Sequence, residues 1–532
     1  MSDSSLVDIG YVYTEVSAIK PGVARVRAGF NTHKTKSLQF RLNQLRNLYF
    51  AVHDHQEAFA HALYQDFHRS ETETRIAEIH TVLKNILYAM ANLHQWIQPE
   101  AVSDLPINLR TNKVYTERIP YGVVLVMGAY NYPVHVTLSP LAGAIAAGNA
   151  VVLKPSEQTP RFSQLLTEVL TRALDPDVFW MVNGGVPETQ ALLDEKFDKI
   201  IFTGSPTVGT IVAKKAAETL TPTCLELGGK SPAIVLSDVK DKDIDTIAKR
   251  IVWGRFTNGG QTCIADDYVL VHQSRHKRLV EAMKRAVEES YPNLTPDSPD
   301  YTHMVSSRAY DGIIDLITTS KGTVVTGGVT DADRNTRFVP PTILDDVSWT
   351  DSSMKREIFG PVLPVVVYDS LPDACARIVN YHDTPLALYI FTSGPTARGK
   401  NPQVDLIRRS VRSGGTIVND TLIHGVLSNA PFGGIGSSGT DAYGGKWSYD
   451  NFTHERVTIE QKLWNEFMVG VRYPPFNEKK GKALQYALQE YGGHVWFNRS
   501  GDVPIDGPSS FFKLWAGVTG TACLILAFAQ AL

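Results

Sequence analysis

The apolar positions of the chain change period along its length, and each change marks an element. From about Leu38 they recur at helical spacing (Leu42, Leu45, Tyr49, Val52), and helical texture continues through residues 58–67 and 74–96. Residues 1–36 show no clear period and are expected to be loosely ordered in part. Near Lys113 the pattern becomes strand-like. It breaks at Pro120-Tyr121-Gly122, which predicts two strands joined by a turn, a hairpin arm near residues 113–127. Beyond a loop at residues 128–133, L-S-P-L-A-G-A-I-A-A-G-N reads as a small-residue helix ending at Gly148.

Strict alternation follows. Residues 150–153 form a short apolar strand, and Thr159-Pro160 opens a helix with Leu165, Leu166, Val169 and Leu170 on one face. Strand 178–182, helix 187–193, strand 199–203 and helix 206–219 complete the series. Strands and helices at this spacing imply a parallel sheet with helices on both faces, the architecture that binds dinucleotides. A second alternating region after Lys230 has strands at 233–236, 268–271, 323–325 and 362–368 and a helix at 276–289. It predicts a second α/β domain. Ala483, Leu484, Ala487, Leu488 and Tyr491 then make an amphipathic stripe.

Composition narrows the function classes. With 532 residues the chain exceeds one ordinary core. A net charge of -3, with 52 Lys+Arg against 55 Asp+Glu, gives no reason to expect a polyanion, and nucleic acid is not a predicted partner. Four scattered cysteines form no disulfide framework, which points to a reducing compartment. No signal-peptide layout opens the chain. Residues 514–532 are an uncharged, largely apolar run, close to the ~20 residues that cross a hydrocarbon core as a helix, and a membrane anchor is predicted there.

The candidate chemistry centres on N-G-G-Q-T-C-I-A-D-D-Y, residues 258–268. Cys263 follows two adjacent glycines, and a thiolate reached through such a loop is a strong nucleophile; a buried core thiol is the ordinary alternative. I-I-F-T-G-S-P-T-V-G runs from a strand into a helix, placing Gly204, Ser205, Val208 and Gly209 where free N–H groups bind phosphate, and both glycines are expected to permit close approach. Gly434-Ile-Gly436-Ser-Ser-Gly439 matches a dinucleotide fingerprint in letters but leads no strand into a helix, so it reads as a structural turn. Lys154 and Glu157 lie at the carboxyl end of a buried strand, where they bind ribose hydroxyls or remain solvated charges. A carboxylate there favours NAD over NADP. Glu226, between two leucines in L-E-L-G-G-K, is a candidate general base or a structural ion-pair partner.

L-E-L-G-G-K followed by G-Q-T-C resembles the paired signature of the aldehyde dehydrogenase superfamily. The likeness runs from about residue 38 to about Tyr473 and includes Tyr130-Asn131-Tyr-Pro133, V-V-L-K-P-S-E, F-T-G-S-P-T-V-G, Glu357-Ile-Phe-Gly-Pro361 and Ala430-Pro-Phe-Gly-Gly434. F-T-H-E-R at residues 452–456 and the apolar tail look most like the class 3 branch and its membrane-anchored fatty aldehyde dehydrogenases. The resemblance implies an α/β fold: a Rossmann-like NAD-binding domain (37–229), a catalytic domain (230–426), and a return segment with a β oligomerisation arm (427–475). An amphipathic gate helix and linker (476–513) and a C-terminal transmembrane helix (514–532) complete it.

The resemblance also implies roles. Cys263 would attack the aldehyde carbon, Asn131 would donate to the oxyanion, and Glu226 would activate water against the thioester. Glu357 would hold the nicotinamide ribose, with Phe359 near the ring. Lys154 and Glu157 would hold the adenine ribose, and Gly204, Ser205, Val208 and Gly209 the pyrophosphate of NAD. No metal ligand is assigned. Asp266 stands where the family often has Pro, and Tyr443-Gly-Gly445 where it has Tyr-His-Gly; neither change is expected to touch the assigned catalytic atoms. Val134-His135 is expected at the substrate entrance. The expected activity is NAD-dependent oxidation of long-chain aliphatic aldehydes by a membrane-held homodimer. Its catalytic domain would face the cytosol from the endoplasmic reticulum, mitochondrial outer membrane, peroxisome or lipid droplet. An aromatic aldehyde dehydrogenase, a reductase passing acyl groups to coenzyme A, and a non-catalytic membrane scaffold are the alternatives. Glu226 disfavours the second and the intact Cys263–Asn131–Glu226 set the third.

Overall fold

Strands and helices alternate as the sequence pattern requires, and two large sheets result. The computed structural model describes residues 10–103, 105, 109–488, 497, 500–503 and 505. The chain divides into two compact units, residues 1–96 with 120–454, and residues 97–119 with 455–532. Both large sheets lie in the first unit.

The six-stranded sheet runs in the order Gly439–Thr440, Thr223–Glu226, Lys199–Thr203, Val123–Met127, Ala150–Lys154, Phe179–Met181. Its strands are parallel except Gly439–Thr440, which pairs antiparallel with Thr223–Glu226 and sets Gly439 opposite Glu226. The glycine turn before that strand is therefore structural: at Gly439 (φ +145°) a Cβ would run into the Leu225 carbonyl oxygen. The seven-stranded sheet orders Thr323–Thr326, Thr342–Asp345, Val362–Tyr368, Tyr268–His272, Pro232–Val235, Ala387–Phe391 and Gly415–Val418. All but the first are parallel. Its inner strands read as continuous apolar runs because both faces are covered, by Asp241–Phe256 and His276–Ser290 on one side and Ser307–Thr319 and Leu371–His382 on the other.

Residues 16–31 do not lack regular structure for want of a clear period: Val16–Asn31 is a helix that buries Ile19, Val23 and Val26 against the first sheet's core. Lys20-Pro21-Gly22 reads as a breaker and hides that period, but Gly22 is needed because a Cβ there would meet the Trp180 ring. Nor do residues 113–127 form a hairpin. Lys113–Pro120 belongs to a three-stranded sheet with Glu100–Ala101 and Thr453–Glu460, whereas Val123–Met127 is central in the six-stranded sheet. The turn at Gly122 passes the chain between sheets, with Gly122 N–H donating to Asn149 Oδ1 at 2.9 Å.

Among the described residues no helix is long and apolar enough to cross a membrane. The predicted anchor, residues 514–532, lies outside the described residues, as does Tyr491 of the predicted gate face; a helix spans Glu478–Leu488.

Candidate active site

The Cys263 loop is shaped by three successive left-handed residues, Asn258 (φ 55°), Gly259 (φ 59°) and Gly260 (φ 72°). A Cβ on Gly259 would strike the Thr302 carbonyl oxygen, and one on Gly260 the Gly360 carbonyl oxygen, so only glycine fits. Side chains tie the loop down. Asn258 Nδ2 donates to the carbonyls of Asn131 (2.8 Å) and Gln261 (3.1 Å), and Gln261 Nε2 donates to the His303 carbonyl at 2.9 Å. Tyr132 Oη and Thr262 Oγ1 stand 2.8 Å apart, and Tyr389 Oη donates to the Ile264 carbonyl at 2.5 Å.

Two cavities meet at Cys263. One, of about 400 Å³, is mostly apolar and is lined by Val136, Ile264, Leu422, Phe432 and Tyr443. The other, of about 560 Å³, is lined by Asn131, Lys154, Glu157, Gly204, Ser205, Val208, Glu357 and Phe359. Cys263, Glu226, Thr203 and Leu227 wall both. Residues dispersed over more than half the chain are thus brought together.

Gly209 is the exception. It does not line the cleft; it lies on the buried face of the helix Pro206–Glu218, where a Cβ would meet Leu227, so it serves helix–sheet packing rather than close approach of a phosphate. Ser205 caps that helix, accepting from Val208 N–H at 3.4 Å. Lys154 Nζ reaches Glu157 Oε2 at 3.2 Å on the cleft wall.

Burial sets the electrostatics. It pushes the Cys263 thiol up to about 12, assisted by Glu357 and Glu226 and opposed by the backbone N–H groups of Cys263 and Ile264. Burial also raises the Glu226 carboxyl well above its ordinary value, with Asp441 adding repulsion. Glu357 rises to about 8, again by burial first and Asp267 second, although the Gly229 N–H bonds to it. Among the described residues Glu357 Oε1 and Glu226 Oε2 meet no hydrogen-bond partner. Phe359 (φ 53°) is held edge-on to Tyr130 at 5.9 Å.

Tyr443 lines the apolar cavity with Cys263 and Glu226, and those two groups add to the burial that raises its phenol, whereas the departing residue beside it, Gly444, lines neither cavity. Asp266 lines neither cavity. His135 does line the apolar one, as does Trp253, which no sequence signal marked.

A thiol and a buried carboxyl group where an apolar pocket meets a nucleotide-sized cleft, on two mostly parallel sheets, make this the site of an enzyme. The chain belongs to the aldehyde dehydrogenase family, whose model matches residues 12–458. It is 39% identical to the fatty aldehyde dehydrogenase HFD1 of Saccharomyces cerevisiae over 92% of this chain and 91% of that one. It is 40% identical to the aldehyde dehydrogenase, dimeric NADP-preferring, of Canis lupus familiaris over 86% and 98%. A substrate-bound structure of Staphylococcus aureus AldH superposes with a TM-score of 0.83 at 37% identity, covering 88% of this chain and 98% of that one. These relatives place the chain in the class 3 branch, as an aldehyde dehydrogenase. The family uses NAD or NADP, and the cleft fits the parts common to both: the helix N-terminus at Ser205 lines it, and Glu357 offers an unmatched acceptor.

Proposed function

We propose that the chain oxidises long-chain aliphatic aldehydes to carboxylic acids with NAD. The apolar cavity opening at Cys263 carries the reading, because an alkyl chain is what such a wall desolvates favourably. The likeness to fatty aldehyde dehydrogenases supports it.

Cys263 loses its proton and adds to the aldehyde carbon. The oxygen gains negative charge, and the Asn131 side chain and the Cys263 N–H stabilise it; one such donor is worth ~3 kcal/mol in the barrier. NAD bound in the second cavity would supply the hydride acceptor. Loss of hydride from the tetrahedral adduct would leave the acyl group on Cys263 as a thioester. Glu226, which walls both cavities, takes a proton from water as the water attacks the acyl carbon; the acid departs and the thiolate is restored. Glu357 and the Lys154–Glu157 pair orient the two riboses, and the Glu157 carboxylate opposes a 2′-phosphate.

The chain is further proposed to work as a homodimer held to a membrane by residues 514–532. The exposed Val457 and Ile459 on the strand Thr453–Glu460 and the dimeric relative support the dimer.

Purified protein, hexadecanal and NAD, without coenzyme A, should produce NADH. Benzaldehyde and NADP should give lower kcat/KM, and Glu157→Gln should narrow the NAD preference. No NADH from the intact chain, or an undiminished rate from Cys263→Ala, would overturn the reading.

A further inference from the structure

Arg69 and Glu78 form an ion pair in which both side chains are fully buried. Such a pair is expensive: the desolvation cost rivals the attraction, and a well-packed apolar pair often serves stability equally well. Here the cost is not even fully offset. Among the described residues Arg69 Nε and Nη2 meet no hydrogen-bond partner. Stability is a poor explanation for the pair, so its remaining contacts matter.

They fall on one turn. Arg69 Nη1 donates to the Asn131 carbonyl at 3.2 Å, and the guanidinium lies 4.6 Å from the centre of the Tyr132 ring. Glu78 Oε2 accepts from the N–H groups of Val134 (2.8 Å) and His135 (2.9 Å), at the start of the helix His135–Ala147. A negative charge there matches the positive end of that helix. The pair grips residues 131–135 at both ends. Glu78 lies in a π-helical turn, Arg75–Ile79, inside an otherwise α-helical run, and such a turn inserts an extra residue and re-aims the side chains around it. The opposite side of the same carbonyl is taken by Asn258 Nδ2 at 2.8 Å, and Glu73 Oε1 accepts from Asn258 N–H at 2.8 Å. Two groups, Arg69 and Asn258, thus bond the Asn131 carbonyl directly, Glu78 holds the turn three residues on, and Asn258 belongs to the Cys263 loop.

We propose that Arg69, Glu78 and Asn258 are positioning residues that fix the Asn131 amide relative to Cys263, so that the donor is aimed before the oxyanion forms. The inference rests on the assignment of Asn131 as oxyanion donor in the preceding section. None of the three touches substrate on this reading; they act through Asn131. Preorganised donors stabilise developing charge because no reorganisation is needed when it appears, and a small misplacement removes much of the benefit.

The test is a double-mutant cycle on the full chain with hexadecanal and NAD. Glu78→Gln keeps the shape of the side chain but weakens its hold on Arg69 and the two N–H groups. It should lower kcat roughly tenfold to a hundredfold, with the KM for NAD within about twofold of the parent and the rate of Cys263 alkylation by iodoacetamide unchanged. In an Asn131→Ala background the same change should lower kcat no further. Asn258→Ala, which alters no charge but also frees the Gln261 carbonyl in the Cys263 loop, should lower kcat by a larger factor in the parent than in the Asn131→Ala background, and it carries the test if Glu78→Gln does not fold. Equal fold-losses in both backgrounds, or an unaltered kcat in the parent background, would overturn the inference. A parent enzyme insensitive to Asn131→Ala would instead overturn the assignment of Asn131, so the two failures are distinguishable.

Discussion

Cys263 is held where its reactive form is disfavoured. With the thiol raised to about 12 by burial, Glu357 and Glu226, the ligand-free protein holds it almost wholly protonated at neutral pH. The thiolate fraction then grows about tenfold per pH unit. Alkylation of the ligand-free protein by iodoacetamide, followed by mass spectrometry, should accelerate by that factor per unit from pH 7 to pH 10 without a plateau. A plateau near pH 8 would mean that a cation not facing Cys263 here lowers the thiol. Residues 258–268 hold no Lys or Arg to lower the thiol, and the fold adds two carboxyl groups instead.

Glu357 gives a prediction of opposite use. Its carboxyl titrates at about 8 in the folded chain against an ordinary 4.5. Between those values the folded chain keeps a proton that the unfolded chain has released, so this group's contribution to stability falls as pH rises from 4.5 and is fully lost above 8. Glu357→Gln mimics the protonated carboxyl. It should raise Tm most above pH 8 and leave it unchanged below 4.5. A pH-independent shift in thermal unfolding would contradict this. That Glu226 is buried was legible because leucines flank it; that Asp441 adds repulsion could not be read, since Asp441 arrives on a distant segment.

At the scale of elements, strands buried on both faces were the most legible. Lys199–Thr203 and Val362–Tyr368 have the bounds their apolar runs predict. The failures have a common cause, because strand character fixes that a segment is extended but not which neighbour it pairs with. Lys113–Pro120 and Val123–Met127 read as a hairpin through their turn, yet they join different sheets. Gly209 likewise fits a phosphate-loop spacing but meets Leu227. Loop-to-loop contact is a second thing the sequence hides. Gly260 packs on Gly360, which joins the Cys263 loop to the loop bearing Glu357 and Phe359. Gly260→Ala would place a Cβ at φ 72° against a carbonyl oxygen. It should cost more than about 1 kcal/mol in denaturant unfolding and lower kcat at least tenfold. Unchanged unfolding would show that the two loops separate easily.

At the scale of the whole molecule, the proposed anchor and dimer can be tested together. The full chain should sediment with membranes, and a chain ending at residue 513 should remain in the supernatant while light scattering still gives twice the monomer mass. A truncated chain that stays with the membranes would remove the anchor proposal, and one of monomer mass the dimer.

What the sequence determined by itself was the set of chemical groups and the class of fold. A thiol in a glycine loop, a carboxylate between leucines and a strand–helix alternation are local patterns, set by residue type and spacing. What only the tertiary structure decided was adjacency. Asn131, Glu226, Cys263 and Glu357 share a wall because the carboxyl ends of strands in the six-stranded sheet, beside Asn131 and Glu226, meet the loops that precede Tyr268–His272 and Val362–Tyr368, which carry Cys263 and Glu357; the raised pKa values of Glu226, Cys263 and Glu357 follow from a burial that no single segment creates. The Arg69–Glu78 pair is the clearest case: Arg69 lies in the link between two helices and Glu78 in a π-helical turn, no sequence signal marks either, and only long-range packing sets them against the turn that carries Asn131.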